Sequence, residues 1–240
     1  MIAWLFATTA LGFTEEEVLD RVAEVQPHLA LRIAESPPTV PEEVFRKAAR
    51  GKIATGLIDV EGHRAKKAYG VGILDVGIRE LWAGINDETS HPGWTAVTYA
   101  ELVQGDICQT GRATFMFLPV PMVADRWWIT HLVANDEIWR ATDGQVRELA
   151  WSSSVDPEQV RSEAGRDVIA QGIPLAFTIG AWFLIALDES HTLMEYDIWT
   201  DPGGRIPARA ASVFAAGSLK DTFEAMESYA KAGVTHCPIE

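Results

Sequence analysis

Histidine, cysteine and serine are the residues that most often carry chemistry, and here their spacing predicts no catalytic motif. The six histidines are scattered along the chain, and no pattern of His, Cys or Asp is typical of a metal site. No Gly-x-Ser-x-Gly nucleophile motif occurs. Cys108 and Cys237 are too few for a zinc motif, so they are either two free thiols or one bridge that fixes the C-terminal tail. We expect no metal and no cofactor.

Nine tryptophans among 240 residues suit either an aromatic-lined cavity or an interfacial surface. A tryptophan-rich core is the alternative. Hydrophobic residues make up 48% and charged residues 22% of the chain, a globular composition that argues against long disorder. The net charge of −14 repels nucleic-acid phosphates and anionic membrane surfaces, so nucleic acid is not an expected partner.

The first thirteen residues form an uncharged apolar run that stops at three consecutive glutamates. The run is too short to span a bilayer. It has the character of the apolar part of a secretory signal, with Thr8 and Ala10 as a small-residue cleavage pair, but no Lys or Arg precedes it. The sequence favours an exported or periplasmic protein. The alternative is a cytoplasmic protein in which these residues begin a buried helix.

The elements that position the remaining residues follow in the order helices, strands, helix. A capping box at Thr14 and Glu17 and a proline at position 41 predict two helices, which form an N-terminal extension over residues 14–50. Apart from one helix at 78–86, residues 53–200 contain short strand candidates. A long helix with one apolar stripe begins near Pro207. We expect an α+β fold whose main domain covers residues 51–235.

Four segments in this order resemble the START family of lipid-binding domains in the helix-grip superfamily. They are residues 78–86 with Leu81-Trp82, Leu118-Pro119-Val120-Pro121, Ala124-Asp125-Arg126-Trp127, and the stretch DPGGRIP at 201–207. The resemblance implies a curved antiparallel sheet wrapped around a long C-terminal helix. It implies non-catalytic binding or transfer of a hydrophobic ligand, a lipid or sterol, by a monomer that contacts membranes transiently for exchange. Residues 14–50 and 155–171 match no signature, so the ligand class is open.

In such a fold the ligand cavity lies between the sheet and the last helix, and inward residues at period two line it. The predicted wall consists of bulky side chains, with His131 and Glu195 as polar groups and Phe214 and Leu219 on the helix. The other wall residues are Trp82, Trp94, Phe115, Phe117, Trp128, Trp151, Phe177, Trp182, Tyr196 and Trp199. The alternative for each is an ordinary place in the core.

Buried polar groups in a cavity must be paired. We expect Arg126 to form a structural ion pair with Glu195 or Asp197, and the alternative is that one of these groups meets a ligand head group. Helix-grip relatives also include aromatase/cyclases, which implies an enzymatic alternative with His131, Glu195 and Tyr99 as acid–base groups. A third interpretation is a protein-interaction module with an exposed tryptophan patch.

Overall fold

The structure is a computed structural model that describes residues 12–204, 208–233 and 235–239, with the backbone alone for 208–217. The apolar run at 1–13 lies almost wholly outside the described residues. The predicted N-terminal helices are present as α1 (Glu15–Val25) and α2 (Glu42–Ala49), with a 3-10 helix (Gln26–Leu31) between them. Thr14 and Glu17 form the predicted capping box at the start of α1.

Nine strands form one curved sheet in the order β1-β2-β9-β8-β6-β5-β4-β3. Neighbours on this path are antiparallel, and β7 pairs parallel with β5. The strands are β1 (Ala54–Ile58), β2 (Lys67–Leu74), β3 (Tyr99–Gln104), β4 (Arg112–Leu118), β5 (Asp125–Ala134), β6 (Val146–Ser154), β7 (Gly172–Pro174), β8 (Phe177–Ala186) and β9 (Thr192–Asp201).

Helices α3 (Ile78–Ile85) and α6 (Ala208–Ala232) lie where the sequence predicts them. Two further helices, α4 (Asp136–Ala141) and α5 (Glu163–Ile169), stand in the region predicted as strands and irregular structure. In α4 the Asn135 side chain accepts a hydrogen bond from the Ile138 amide, so an N-cap converts the expected strand into a short helix. Short 3-10 helices occupy Glu88–Ser90 and Pro157–Gln159. The predicted α+β class is confirmed.

The two faces of the sheet carry separate cores, because alternate residues of a strand point to opposite sides. Ala68 and Leu74 of β2 pack with α3 and α6, and we call this side the inner face. Val71 and Ile73 pack with α1 and α2 on the outer face. A third cluster on the outer face lies under α5. Both faces are therefore covered by helices.

Glycines in β2 let α6 approach the inner face closely. A Cβ atom at Gly70 or Gly72 would lie 3.1 Å from the ring of Phe223. Leu219 lies over Gly70, and Glu227 Oε1 accepts a hydrogen bond from the Asp75 amide at 3.3 Å. Helix α6 therefore runs along β2 from the Asp201 end of the sheet towards Leu74.

The chain end after α6 is tied to the loop between β3 and β4 by a disulfide between Cys108 and Cys237, so of the two alternatives left open by the sequence the structure has the bridge. Buried Asp87 gives the tail a second attachment, since it accepts hydrogen bonds from the His236 amide at 2.7 Å and from Tyr229 Oη at 2.6 Å. Burial acts to raise the pKa of Asp87, but these hydrogen bonds together hold it below its ordinary value.

Candidate functional site

The end of the inner face that lies under α3 and the second half of α6 is packed like an ordinary core. Leu219, Phe223 and Met226 of α6 are buried against β2 and against Leu81 and Ile85 of α3. This packing fixes the second half of α6 on the sheet. The part of the inner face that this packing leaves uncovered lies towards the other end of α6, whose first turns follow Asp201.

An aromatic stack occupies the middle of the inner face. Trp182 and Tyr196 are direct cross-strand partners on β8 and β9, with ring centroids 3.9 Å apart and planes 20° apart. Trp151 of β6 stacks on Tyr196 at 5.6 Å and lies over Gly180, where a Cβ atom would be 2.4 Å from its ring. The missing side chain at Gly180 makes room for the indole. The stack forms a rigid apolar wall.

The hydroxyl of Tyr196 is the polar group within this wall. Burial raises its pKa well above the ordinary value, so the hydroxyl is neutral at physiological pH. Its Oη forms no hydrogen bond with any residue that the structure describes. A ligand that supplies a hydrogen-bonding group to this hydroxyl would gain a polar contact within the apolar wall.

Beyond the stack, the inner face continues with Trp128, Ile198 and a pair of threonines. Trp128 pairs with Met116 across β4 and β5 and is half-buried. Thr178 and Thr200 share a hydrogen bond of 2.8 Å between their hydroxyls. This half of the face lies next to the beginning of α6, where predicted wall residue Phe214 has a side chain outside the described part.

Arg126 anchors the turn from which α6 begins. Its Nε donates to the Pro202 carbonyl at 2.6 Å and its Nη2 to the Gly203 carbonyl at 3.3 Å, while Nη1 donates to Ala124. The expected ion pair between Arg126 and Glu195 or Asp197 is wrong, because Arg126 lies on the inner face and both carboxylates lie on the outer face. The arginine instead fastens β5 to the turn at Pro202 and Gly203 that precedes the helix.

Six predicted wall residues lie on the outer face, away from α6. The register that pairs Met116 with Trp128 turns the odd-numbered residues of β4 and β5 outward, where they pack under α5. The six are Phe115, Phe117, His131, Phe177, Glu195 and Trp199. Their prediction as inward residues is wrong because helices cover both faces of the sheet. Bulky apolar residues therefore occur at odd and at even positions of the strands.

Each outward residue that has a polar group or a large ring has its own local partner. His131 Nε2 lies 2.9 Å from Ser154 Oγ. Trp199 donates from Nε1 to the Ala65 carbonyl at 3.0 Å, and its ring contacts Phe177. These contacts account for the residues without a ligand.

The two remaining predicted wall residues, Trp82 and Trp94, lie at the margins of the inner face. Trp82 of α3 packs at the edge of the inner core, below the Arg147 guanidinium at 4.9 Å. Trp94 is 38% exposed and rests on the ring of Tyr229 at 5.1 Å. Neither is part of the aromatic stack.

The acid–base groups of the enzymatic alternative are not assembled. His131 hydrogen-bonds Ser154, Tyr99 Oη donates to Glu101 at 2.7 Å, and Glu195 accepts from Arg32 at 2.7 Å. All three are described residues, and no hydrogen bond joins any two of them. Within the described ranges no group of three or more His, Cys, Asp or Glu side chains could hold a metal ion. No described helix is long and apolar enough to cross a membrane.

Sequence reasoning missed Arg32, which lies between the 3-10 helix and α2. Its guanidinium joins Glu148 of β6 and Glu195 of β9 on the outer face, at 3.0 and 2.7 Å. Nothing in its sequence surroundings, Leu31 to Ile33, distinguishes it from an ordinary loop arginine. Only the strand register identifies the two carboxylates as its neighbours.

No protein-family model matches the sequence, and no curated protein matches it. Solved structures do match the fold. The STAR-related lipid transfer protein from Xanthomonas axonopodis aligns with a TM-score of 0.60 at 19% identity, over 75% of this chain and 93% of that one. Human StAR-related lipid transfer protein 5 aligns with 0.59 at 12% identity, over 91% and 95%. Zhui aromatase/cyclase from Streptomyces sp. R1128 aligns with 0.50 at 11% identity, over 71% and 96%.

These matches establish the START-like helix-grip fold, as the sequence resemblance predicted. At such identities they establish the fold alone.

Proposed function

We propose that this START-like helix-grip chain binds one hydrophobic ligand, a lipid or sterol-like molecule, between the inner face of its sheet and the first half of α6. The observation that carries the proposal is the aromatic wall of Trp151, Trp182 and Tyr196, which holds a neutral hydroxyl without a partner among the described residues. Contact with an apolar wall stabilises the complex by about 25 cal/mol for each Å² of apolar ligand surface removed from water. The hydroxyl then orients the ligand through one polar contact.

We further propose that the protein carries its ligand rather than transforming it. Two of the matched structures are named as lipid transfer proteins, and one is named as an aromatase/cyclase. In the present chain His131 and Glu195 lie across the sheet from the proposed cavity. A reaction there would need other acid–base groups. For exchange, the ligand would leave past the beginning of α6 during a transient membrane contact.

Native mass spectrometry of the protein as purified tests the proposal, followed by denaturation and organic extraction. We expect one lipid or sterol for each chain, with its mass unchanged by incubation. A chain that is purified without ligand and binds none of a panel of fluorescent lipids and sterols would contradict the proposal. A cyclised or otherwise altered product would favour the enzymatic alternative.

Two tryptophan variants locate the site. Trp182→Ala removes part of the inner wall, and we expect a loss of about tenfold or more in lipid affinity. Trp199→Ala removes a tryptophan of the outer face, and we expect lipid affinity to stay within about twofold of the parent. Far-UV and near-UV circular dichroism checks that each variant folds. Equal losses in both folded variants would place the ligand elsewhere.

A further inference from the structure

A cavity of about 330 Å³ lies on the outer face between the N-terminal helices and the sheet. Apolar side chains form most of its wall: Val22, Leu29, Val40, Phe45, Ile185 and Leu193. The sheet separates it from the inner face. Its volume is at the lower end of the range of roughly 300–1,000 Å³ found for small-molecule pockets.

Arg32 gives this cavity a polar floor. The guanidinium lies 4.1 Å above the ring centroid of Phe183, and its side chain is only 6% exposed. Nε donates to Glu148 at 3.0 Å and Nη1 to Glu195 at 2.7 Å. The remaining nitrogen, Nη2, is buried and has no hydrogen-bond partner. A buried charged group with an unsatisfied donor is costly unless something binds to it.

Glu195 supplies an acceptor beside this donor. Its Oε1 accepts from Arg32, whereas Oε2 has no partner among the residues that the structure describes. Glu148 has both oxygens occupied, because Oε2 accepts from the Ile33 amide and from Asn135 Nδ2, each at 2.8 Å. Arg32 and Glu195 both line the cavity, so the ion pair in its wall has one donor and one acceptor without a partner among the described residues.

The charges around this polar floor disfavour the binding of an anion. Arg32 and Lys67 are the two cations of the buried outer-face network, and Glu148, Glu195 and Asp197 are its three carboxylates. Burial raises the pKa of Glu195 and of Asp197, which reflects the cost of adding negative charge here. A ligand carboxylate would add a fourth carboxylate to these three. A neutral hydroxyl avoids this repulsion, since its oxygen accepts from Nη2 and its proton is donated to Glu195.

We propose that the outer cavity is a second binding site, for a small apolar alcohol whose hydroxyl bridges Arg32 Nη2 and Glu195 and whose hydrocarbon part contacts Leu29, Val40 and Phe45. The site is independent of the ligand proposed for the inner face, because different residues on the opposite side of the sheet form it.

Methyl NMR titration of the full chain tests the site with 1-octanol and, separately, with octanoate. Leu29, Val40 and Ile185 report on the outer cavity, while Leu149 and Leu184 report on the inner face. We expect 1-octanol to shift the outer methyl signals saturably, and octanoate to bind there at least about tenfold more weakly at pH 7. Equal or tighter binding of octanoate, or shifts confined to the inner methyl signals, would overturn the proposal.

Two variants separate the contribution of the polar floor to 1-octanol binding from that of the apolar wall. Leu29→Trp fills the cavity and keeps both residues of the ion pair, so 1-octanol should no longer shift the Val40 and Ile185 methyl signals. Val133→Trp, at an exposed outer-face position, is the matched control and should leave the titration unchanged. Arg32→Lys keeps the charge but removes the forked donor, and we expect about tenfold weaker binding. Parent-like binding by the Leu29 variant would overturn the proposal even if the Arg32 variant fails to fold.

Discussion

Arg126 Nε donates to the main-chain carbonyl of Pro202 at 2.6 Å, so a buried side chain of β5 holds the turn that leads into α6. Gly203 and Gly204 follow with φ angles of 64° and 65°, which glycine adopts without strain. Asp201 closes the same turn by accepting from the Gly203 amide at 2.9 Å. The turn at residues 201–203, which precedes α6, is therefore fixed to the sheet beside the proposed site of ligand exchange.

Replacing this arginine should loosen the start of α6. We expect Arg126→Met to release bound lipid about fivefold faster than the parent and to lower the free energy of unfolding by about 2 kcal/mol, because hydrogen bonds from a charged donor are lost. Stopped-flow transfer of a fluorescent lipid to vesicles measures release, and urea unfolding measures stability. Arg79→Met, at an exposed arginine of α3, is the control. Unchanged release with lowered stability would limit Arg126 to a structural role.

Removing the Tyr196 hydroxyl should affect ligands more than the fold. Since Oη has no partner among the described residues, Tyr196→Phe is expected to change the free energy of unfolding by less than about 1 kcal/mol. We expect the affinity for a sterol to fall about fivefold, and that for its 3-deoxy analogue to stay the same. Fluorescence competition gives both affinities. A similar loss for both ligands would mean that the ring, and not the hydroxyl, carries the contact.

The sequence predicted the elements whose signals are local. The capping box at Thr14 and Glu17, the apolar stripe of α3 and the glycine turn before α6 each depend on residues within a few positions. The face on which an aromatic residue lies depends on strand register and on what covers each side. In β2 all eight residues are buried, so the alternation that would have separated inner from outer residues is absent. The same holds in β4 and β9, in which no residue is exposed, so the predicted faces of Phe115 and Trp199 are wrong.

Reduction of the disulfide should destabilise the protein without changing its fold. Cys108 and Cys237 are 129 positions apart, so the bridge restricts a long loop in the unfolded chain. Loss of this restriction is expected to lower the free energy of unfolding by about 3–5 kcal/mol. Urea unfolding with and without dithiothreitol measures the effect. The double variant Cys108→Ser and Cys237→Ser should match the reduced parent and be insensitive to dithiothreitol. Equal stability of the oxidised and reduced parent would contradict this account.

His91 should make stability fall at acidic pH. Burial lowers its pKa from 6.5 to about 4, a shift that the Gly84 carbonyl, 3.2 Å from Nε2, and the Asp87 carboxylate only partly oppose, while Arg112 adds to it. The folded protein thus holds a neutral imidazole, whereas the unfolded chain binds a proton below about pH 6.5. The contribution is complete above pH 6.5 and declines as the pH falls towards 4, by about 3 kcal/mol in total.

Urea unfolding at intervals from pH 7.5 to 4 measures this slope. In His91→Gln the side chain keeps an amide donor for the Gly84 carbonyl but cannot titrate, so we expect its stability to fall by about 3 kcal/mol less than that of the parent over this range. His63→Gln, at an exposed histidine, should retain the parent's slope. Asp87 adds a separate loss below about pH 4, where protonation weakens its contacts with Tyr229 and the His236 amide. A parent and a His91→Gln variant with the same slope between pH 6.5 and 4 would show that the buried imidazole accepts its proton without cost.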